Sequence, residues 1–338
     1  MKKNMGIADR IIRFLVAAVI AILFFTNVIT GILGIILLVV AGVFVVINNI
    51  SVSPPYLPLG LSFGKSITLF TCAFIWSNVG AQNNDPVEPI DNIFQGTRLV
   101  NEQSANLVEK GKLNLLIQHR FGEIDGGFYE LFGLDQAAMH LGFEYGFGHD
   151  FTAGFGRSSY MKTYDVYGKF RFAQQTTNFP LTIAIIAAGS IPTVKDYFPS
   201  NHSDLTDKLS GNVQLLFAKS IDAVGIQISP GYLTTGYLLS EGEKVSLFTT
   251  AFAGSVKLSK KVTANLEYLA HFNSDFNSDK PLSLGVDIET GGHLFQLVLS
   301  NSQRMFTKGL YTNTFGDWTD GTLFFGFNLI REFRIKYN

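Results

Sequence analysis

The residues best equipped for chemistry are few and widely spaced. Histidine occurs six times, and His140 with Glu144, four positions on, is the pairing that invites a metal. On a β-strand four residues span about 13 Å, whereas zinc ligands sit roughly 2.0–2.2 Å from the ion. One metal therefore does not take both. His119, His149, His271 and His293 converge only under a cross-strand register that the sequence does not state, and polar interior or interfacial roles are simpler for them. A serine hydrolase needs a hydroxyl activated by an imidazole that a third group orients. His202-Ser203-Asp204 has these residue types, but neighbours on a short segment seldom turn their side chains onto one another, so an exposed loop is the plainer reading. Gly156-Arg157-Ser158-Ser159 closes a strand, where a histidine from an adjacent strand can reach it. The one cysteine, Cys72, excludes an intramolecular disulfide and a thiolate metal cluster. No catalytic, metal or cofactor-binding residue is assigned, and no cofactor is expected.

A second set of residues is more coherent. Glu144, Asp165, Lys169, Arg171 and Glu267, with Arg120 beside them, fall on the polar positions of alternating segments. Charges at membrane depth must be paired or hydrated. Salt bridges across a narrow interior would plug it, and an open pore would hydrate it; both readings stand at this point.

The elements that position these charges have a period of two. Met139, Leu141, Phe143, Tyr145 and Phe147 alternate with His140, Gly142, Glu144, Gly146 and Gly148. Tyr164, Val166, Gly168, Phe170 and Phe172 alternate with Asp165, Tyr167, Lys169 and Arg171, and the pattern returns from Val262 to Phe272. Segments of about ten residues with one apolar and one polar face suit strands tilted across a bilayer. Weaker segments lie near 112–121, 150–157, 180–189, 211–221, 224–233, 245–258, 282–289, 293–301 and 321–337, giving about twelve strands. Asp125-Gly126-Gly127, Ser240–Lys244, Asn273–Lys280 and Thr312–Gly321 read as turns or loops, and Pro192–Ser210 is long enough for an external loop. A soluble sandwich or lipocalin-like barrel also alternates. Here aromatics crowd the apolar face near strand ends, while the other face is rich in Gly, Ala, Thr and Ser. The last strand alternates Phe333, Ile335 and Tyr337 with Arg334 and Lys336, an ending suited to recognition by the outer-membrane assembly machinery.

Composition agrees. Only 16% of the 338 residues are charged, against 31 Phe, 12 Tyr and 33 Gly; soluble domains carry about 25% charge. A net charge of −1 gives no reason to expect a nucleic-acid partner. Two apolar runs, from about Ile11 to Ile29 and from Thr30 to Ile50, each approach the roughly 20 residues of a membrane-crossing helix. Lys2, Lys3, Arg10 and Arg13 before them and Lys65 after them keep both ends cytoplasmic. A shorter run, Ile67–Trp76, followed by Val79 and Ala81, has the form of an export signal with cleavage between Ala81 and Gln82. A lipid on Cys72 is the alternative processing. An export signal this far into a chain implies either a hairpin fused ahead of an exported barrel or two joined reading frames.

Asn4-Met5-Gly6, Asp9-Arg10, Arg13, the two apolar runs, Pro54-Pro55-Tyr56 and Leu59-Gly60 resemble the two-helix inner-membrane family known as domain of unknown function 2892, the YgaP-like transmembrane domain, with Ser53 where that family usually has Cys. Phe94-Gln-Gly-Thr-Arg98, His119-Arg-Phe-Gly122, Phe132-Gly-Leu-Asp135, Glu144-Tyr-Gly146, Gly156-Arg-Ser-Ser159 and Lys162-Thr-Tyr-Asp165 resemble domain of unknown function 5777 over about residues 90–338. That resemblance implies a barrel in the cell envelope and brings no catalytic residue with it.

The expected chain is thus all-β in its larger part: a transmembrane hairpin (1–63), a signal-like helix (64–81), a lead-in (82–111) and an antiparallel outer-membrane barrel (112–338). The expected role is a narrow channel or structural envelope component without enzymatic activity, set in a lipid bilayer and serving a periplasmic partner. An outer-membrane lipid hydrolase and a periplasmic β-domain tethered to the inner membrane are the alternatives.

Overall fold

The computed structural model describes residues 88–335 apart from 91, 203, 273–275 and 277. The hairpin expected over 1–63, the signal-like segment with its Ala81–Gln82 junction, and the first residues of the lead-in lie outside the described residues.

Twelve antiparallel strands close on themselves, each beside its neighbour in sequence, with the last beside the first. They are β1 (Lys112–Glu123), β2 (Ala137–Gly146), β3 (Phe151–Ser158), β4 (Tyr164–Ala173), β5 (Thr182–Ile191), β6 (Ser210–Ile221), β7 (Val224–Leu238), β8 (Glu243–Lys257), β9 (Val262–His271), β10 (Leu282–Glu289), β11 (His293–Ser300) and β12 (Phe324–Arg334). Closure runs from Lys112 opposite Arg334 to Arg120 opposite Gly326. Each segment expected from the alternation carries one strand. β7 extends past its expected end near 233, and its pairing with β8 shifts between Thr234 and Tyr237. The polar residues Thr234, Thr235, Glu243 and Lys244 suit a hydrated extension of this hairpin beyond an apolar belt.

The period of two sets the two faces. On β2, Met139, Leu141 and Phe143 are exposed outward while His140 and Glu144 are buried. Rings pair along the outer surface near the strand ends: Phe121 stacks on Phe325 at 6.0 Å, and Phe170 meets Phe172 edge-on at 5.1 Å. Exposed apolar side chains of this kind are stable against lipid, not water.

The inside is filled. Ile93, Phe94, Leu99 and Ala105 of the lead-in pack against Tyr167, Ala184, Ile186, Leu216 and Ala218 on the inner wall. The connections 147–150, 222–223, 258–261 and 290–292 are short and share the end where the chain enters the barrel. The opposite end carries 124–136, 192–209, 272–281 and 301–323, including helices α1 (Leu205–Lys208) and α2 (Thr307–Thr312). Leu310 and Tyr311 of α2 are buried against Leu233, Leu247 and Leu269, so this helix folds over the long-loop mouth.

Candidate functional site

Residues 88–110 pass through the lumen as a folded-back thread. The Ile90 N–H donates to the Gln175 carbonyl (2.8 Å), which ties the thread to the connection after β4 at the short-turn end. The chain then rises and turns: Arg98 bridges Gln103, the Leu99 N–H donates to Glu102 O (2.9 Å), and the Ser104 N–H to Thr97 O (3.0 Å). It returns to the same end, where Lys110 bridges Gly146, and Gly111, with φ of +76°, turns it into β1. Such a φ costs glycine little and other residues more. Close approach to the wall needs a second glycine. A methyl at Gly225 would stand 2.9 Å from the Ile93 carbonyl oxygen and 3.1 Å from Cε1 of Phe94.

The tip of the thread is held by a carboxylate. Glu267 on β9 accepts the N–H groups of Val100 (3.2 Å), Asn101 (3.1 Å) and Glu102 (3.0 Å). Three donors converging on one carboxylate stabilise its charge without a cation. The tip carbonyls are also taken: Gln296 donates to Leu99 O (2.6 Å) and Asn328 to Val100 O (2.8 Å). Arg120 donates to Asn101 Oδ1 (2.8 Å), and Asn101 Nδ2 to Ser283 (2.8 Å). On the other side Lys169 donates to Ser104 O (2.9 Å), Gln103 Oε1 (3.0 Å) and Thr97 O (3.3 Å). Glu144 accepts from Thr97 Oγ1 (2.5 Å) and from the Tyr167 hydroxyl. A cavity near Arg98, Gln118 and Asn328 measures about 10 Å³, about the room one water needs.

Of the expected charge set, Glu144, Lys169 and Glu267 therefore meet on the thread. Asp165 and Arg171 do not join them. Asp165 Oδ1 lies 2.7 Å from Nε2 of the buried His140. Arg171 sits at the short-turn rim on Asp150 (3.2 Å) and the His149 carbonyl (2.7 Å). Among the described residues no ion pair joins two members of the set. The lumen is filled by chain instead of being crossed by salt bridges, because backbone groups satisfy Lys169 and Glu267 on the spot. Gln227, Gln296 and Asn328 were not singled out from the sequence. The alternation places them inward, but it places other amides such as Asn114, Gln118 and Asn212 there too, so nothing local marked these three.

Glu102, on the lead-in and not on a strand, has its carboxyl pushed up to about 7, first by burial and then by the nearby Glu267 carboxylate. Its Oε2 faces the Thr307 hydroxyl of α2 at 3.5 Å, so thread and lid touch. Burial takes the neighbouring Lys308 down to about 8.

The other candidates separate. His119 lies on the outer face, its ring stacked on Phe327 at 5.2 Å, and His293 is 2.7 Å from Arg331. Among the described residues no three His, Cys, Asp or Glu side chains gather in a metal-binding group. Ser158 is opposite His140 in the β2–β3 register, yet its hydroxyl accepts the Tyr160 N–H (3.2 Å), and Nδ1 of His140 has no partner. His202 stacks on Tyr237 at 3.9 Å and faces Asp207; Ser203 lies outside the described residues.

Residues 1–66 match the family model described as Inner membrane protein YgaP-like, transmembrane domain. Among solved structures, the NanC porin is 10% identical with a TM-score of 0.42, covering 67% of this chain and 100% of the porin. An outer membrane channel from Pseudomonas putida F1 is 11% identical with a TM-score of 0.41, covering 67% and 97%. The outer membrane protein Omp33 of Acinetobacter baumannii is 9% identical with a TM-score of 0.37, covering 66% and 99%. No curated protein matches the sequence. Residues 94–333, most of the chain and the whole of the thread's tip, match the model of the Membrane bound beta barrel domain (DUF5777), and the chain belongs to that family.

Proposed function

We propose that this protein is an outer-membrane channel, not an enzyme, held closed at rest by its own lead-in. The observation that carries the reading is the seating of Val100, Asn101 and Glu102 on the Glu267 carboxylate. A wall meant only to be filled is most simply built from apolar side chains, since a buried carboxylate gains little over them. This wall instead offers hydrogen-bonding groups that water can take over when the thread leaves. Gln118, Asn212, Ser229 and Asn265 are buried on it as well. Both arms of the thread leave by the short-turn end, so withdrawal toward that end frees the lumen without breaking a strand. Short turns face the periplasm in outer-membrane barrels, which puts the opening force on the periplasmic side.

The test is conductance of the purified full chain in planar bilayers. The wild type is expected to be silent and Glu267→Ala to open in discrete steps. Silence from release variants would leave the second reading, a permanently filled envelope scaffold, which the apolar seat of Phe94 and Leu99 favours. Placement is tested separately by the N-terminal residue of the protein in separated membranes. Gln82 in the outer membrane is expected; Met1 in the inner membrane would replace the channel by a tethered periplasmic domain.

A further inference from the structure

We infer that the lumen is a binding site for polypeptide, one that reads backbone more than side chains and takes an extended or hairpin segment of small polar residues from the short-turn side. The inference deepens the channel reading, on which its transport meaning rests. Its basis is where the wall's hydrogen bonds go. Glu267 accepts three consecutive N–H groups. Gln227 accepts the Ala105 N–H (2.8 Å) and donates to Gln103 O (2.8 Å). Gln296 and Asn328 take the carbonyls of Leu99 and Val100. Lys169 takes those of Thr97 and Ser104, and Thr152 accepts the Val108 N–H at 3.0 Å. These six side chains stand on β3, β4, β7, β9, β11 and β12, so donors and acceptors for a main chain surround the lumen.

A small ion calls for groups of one polarity, whereas this wall presents acceptors to main-chain N–H groups and donors to main-chain carbonyls. Hydrogen bonds to the thread's own side chains come from Gln95, Thr97, Asn101 and Gln103, all polar and replaceable by similar groups, while Arg98 lies 6.0 Å from the Tyr167 ring centre and Glu102 faces Thr307. The apolar cluster of Ile186 and Leu216 that includes Phe94 and Leu99 asks for one apolar residue near the start of the segment and one at its turn. When the thread withdraws, another unfolded segment meets the same groups. Peptide recognition through main-chain hydrogen bonds, with pockets adding selectivity, is a general mode.

The experiment uses the full chain with Leu99→Asp and Val100→Pro, which expel the thread's tip and leave every wall residue intact. Binding to this folded variant in micelles is read by fluorescence anisotropy of three labelled peptides. One has the sequence of residues 93–108, the second an unrelated Ser/Thr/Asn-rich sequence of the same length with apolar residues only at the positions of Phe94 and Leu99. The third is the first peptide N-methylated at positions 100, 101 and 102. The first two are expected to bind within about thirtyfold of each other, and N-methylation or Glu267→Ala to weaken binding by about a hundredfold. Binding of the native sequence alone would overturn the inference, as would equal binding of the methylated peptide. If the double variant does not fold, excess peptide is added to the wild-type barrel. Displacement of the thread is then read as new trypsin cleavage after Arg98, and no displacement by the unrelated peptide overturns the inference. Peptide binding by a barrel whose release variants never conduct would sink the channel reading while leaving the peptide site standing.

Discussion

Glu267 accepts a hydrogen bond from the main-chain N–H of Glu102 across 165 positions of sequence, at 3.0 Å and with both residues buried. Replacing Glu267 with Ala leaves that donor and those of Val100 and Asn101 unpaired. Each buried group left unsatisfied costs about 1–3 kcal/mol, and partial rehydration moderates the sum. A loss of about 3 kcal/mol raises the undocked fraction roughly a hundredfold. Limited trypsin digestion checks this, with cleavage after Arg98 slow in the wild type and fast in Glu267→Ala. Equal rates would mean that the carboxylate does not hold the thread.

Docking should also depend on pH, in a direction that Glu102 sets. Its carboxyl sits at about 7 when docked, raised by burial and then by Glu267 on β9, against Arg98 and the Thr307 hydroxyl, which lower it. The released thread is in water, where the ordinary value is 4.5. The docked form therefore keeps a proton that the released form gives up between pH 4.5 and 7. Docking is tightest below that window, weakens through it, and is level above it. Trypsin sensitivity at Arg98, normalised at each pH to cleavage of the unfolded chain, is expected to be greater at pH 8 than at pH 5. Glu102→Gln removes this contribution, since a neutral amide has no proton to exchange over that range. An unchanged pH profile in that variant would assign the effect elsewhere.

The barrel could be read from residues such as Met139, Phe143 and Glu144 because strand faces alternate strictly, and a bilayer on one side punishes every exception. The inward position of Lys169 and Glu267 followed from the same alternation. Their partners did not, because they belong to a segment with no period. Thr97–Ser104 has neither a strand's alternation nor a helix's stripe, so nothing local distinguishes a lumen thread from an exposed linker. One hint was present: between Ile93 and Asn106 only Arg98 and Glu102 are charged, sparse for a segment in water. The meeting of Asn101 with Ser283 and Arg120 depends on closure of the barrel, which pairing patterns within a strand do not encode.

Gly225 offers a way to loosen the thread without removing a hydrogen bond. A Cβ there meets the Ile93 carbonyl oxygen at 2.9 Å and Phe94 Cε1 at 3.1 Å, so Gly225→Val pushes on the segment from β7. The Ser255 hydroxyl, at 2.6 Å, can rotate aside, whereas the Ile93 main chain cannot. Overpacking of this kind costs about 1–3 kcal/mol, and it falls on docking if the thread yields before the wall does. The expected result is a barrel that keeps its heat-sensitive gel mobility and gains trypsin sensitivity at Arg98. Loss of the folded mobility would mean that the thread is as rigid as the wall.

The connection 124–136 bears on how the barrel sits in its membrane. Phe128 and Tyr129 are 80% and 93% exposed, and Leu131, Phe132 and Leu134 are also exposed. Leu131 and Phe132 hold φ of +46° and +54°, a region costly for bulky residues. The base of the loop is fixed, with the Ile124 N–H on Leu323 O at 2.9 Å and Gln136 on Gly133 O at 3.2 Å. Strain maintained to present apolar side chains is uneconomical in water, whereas at the lipid interface aromatic residues are stabilised. The loop joins β1 to β2, and the outer face of β2 carries Met139, Leu141 and Phe143. A chain carrying Phe128→Trp, with Trp76 and Trp318 changed to Phe, reports the environment of this position alone. In vesicles with brominated acyl chains its fluorescence is expected to be quenched and blue-shifted relative to free tryptophan. Emission near that of tryptophan in water, quenched by iodide and not by bromine, would place the loop in solvent and leave its exposed rings to a protein partner.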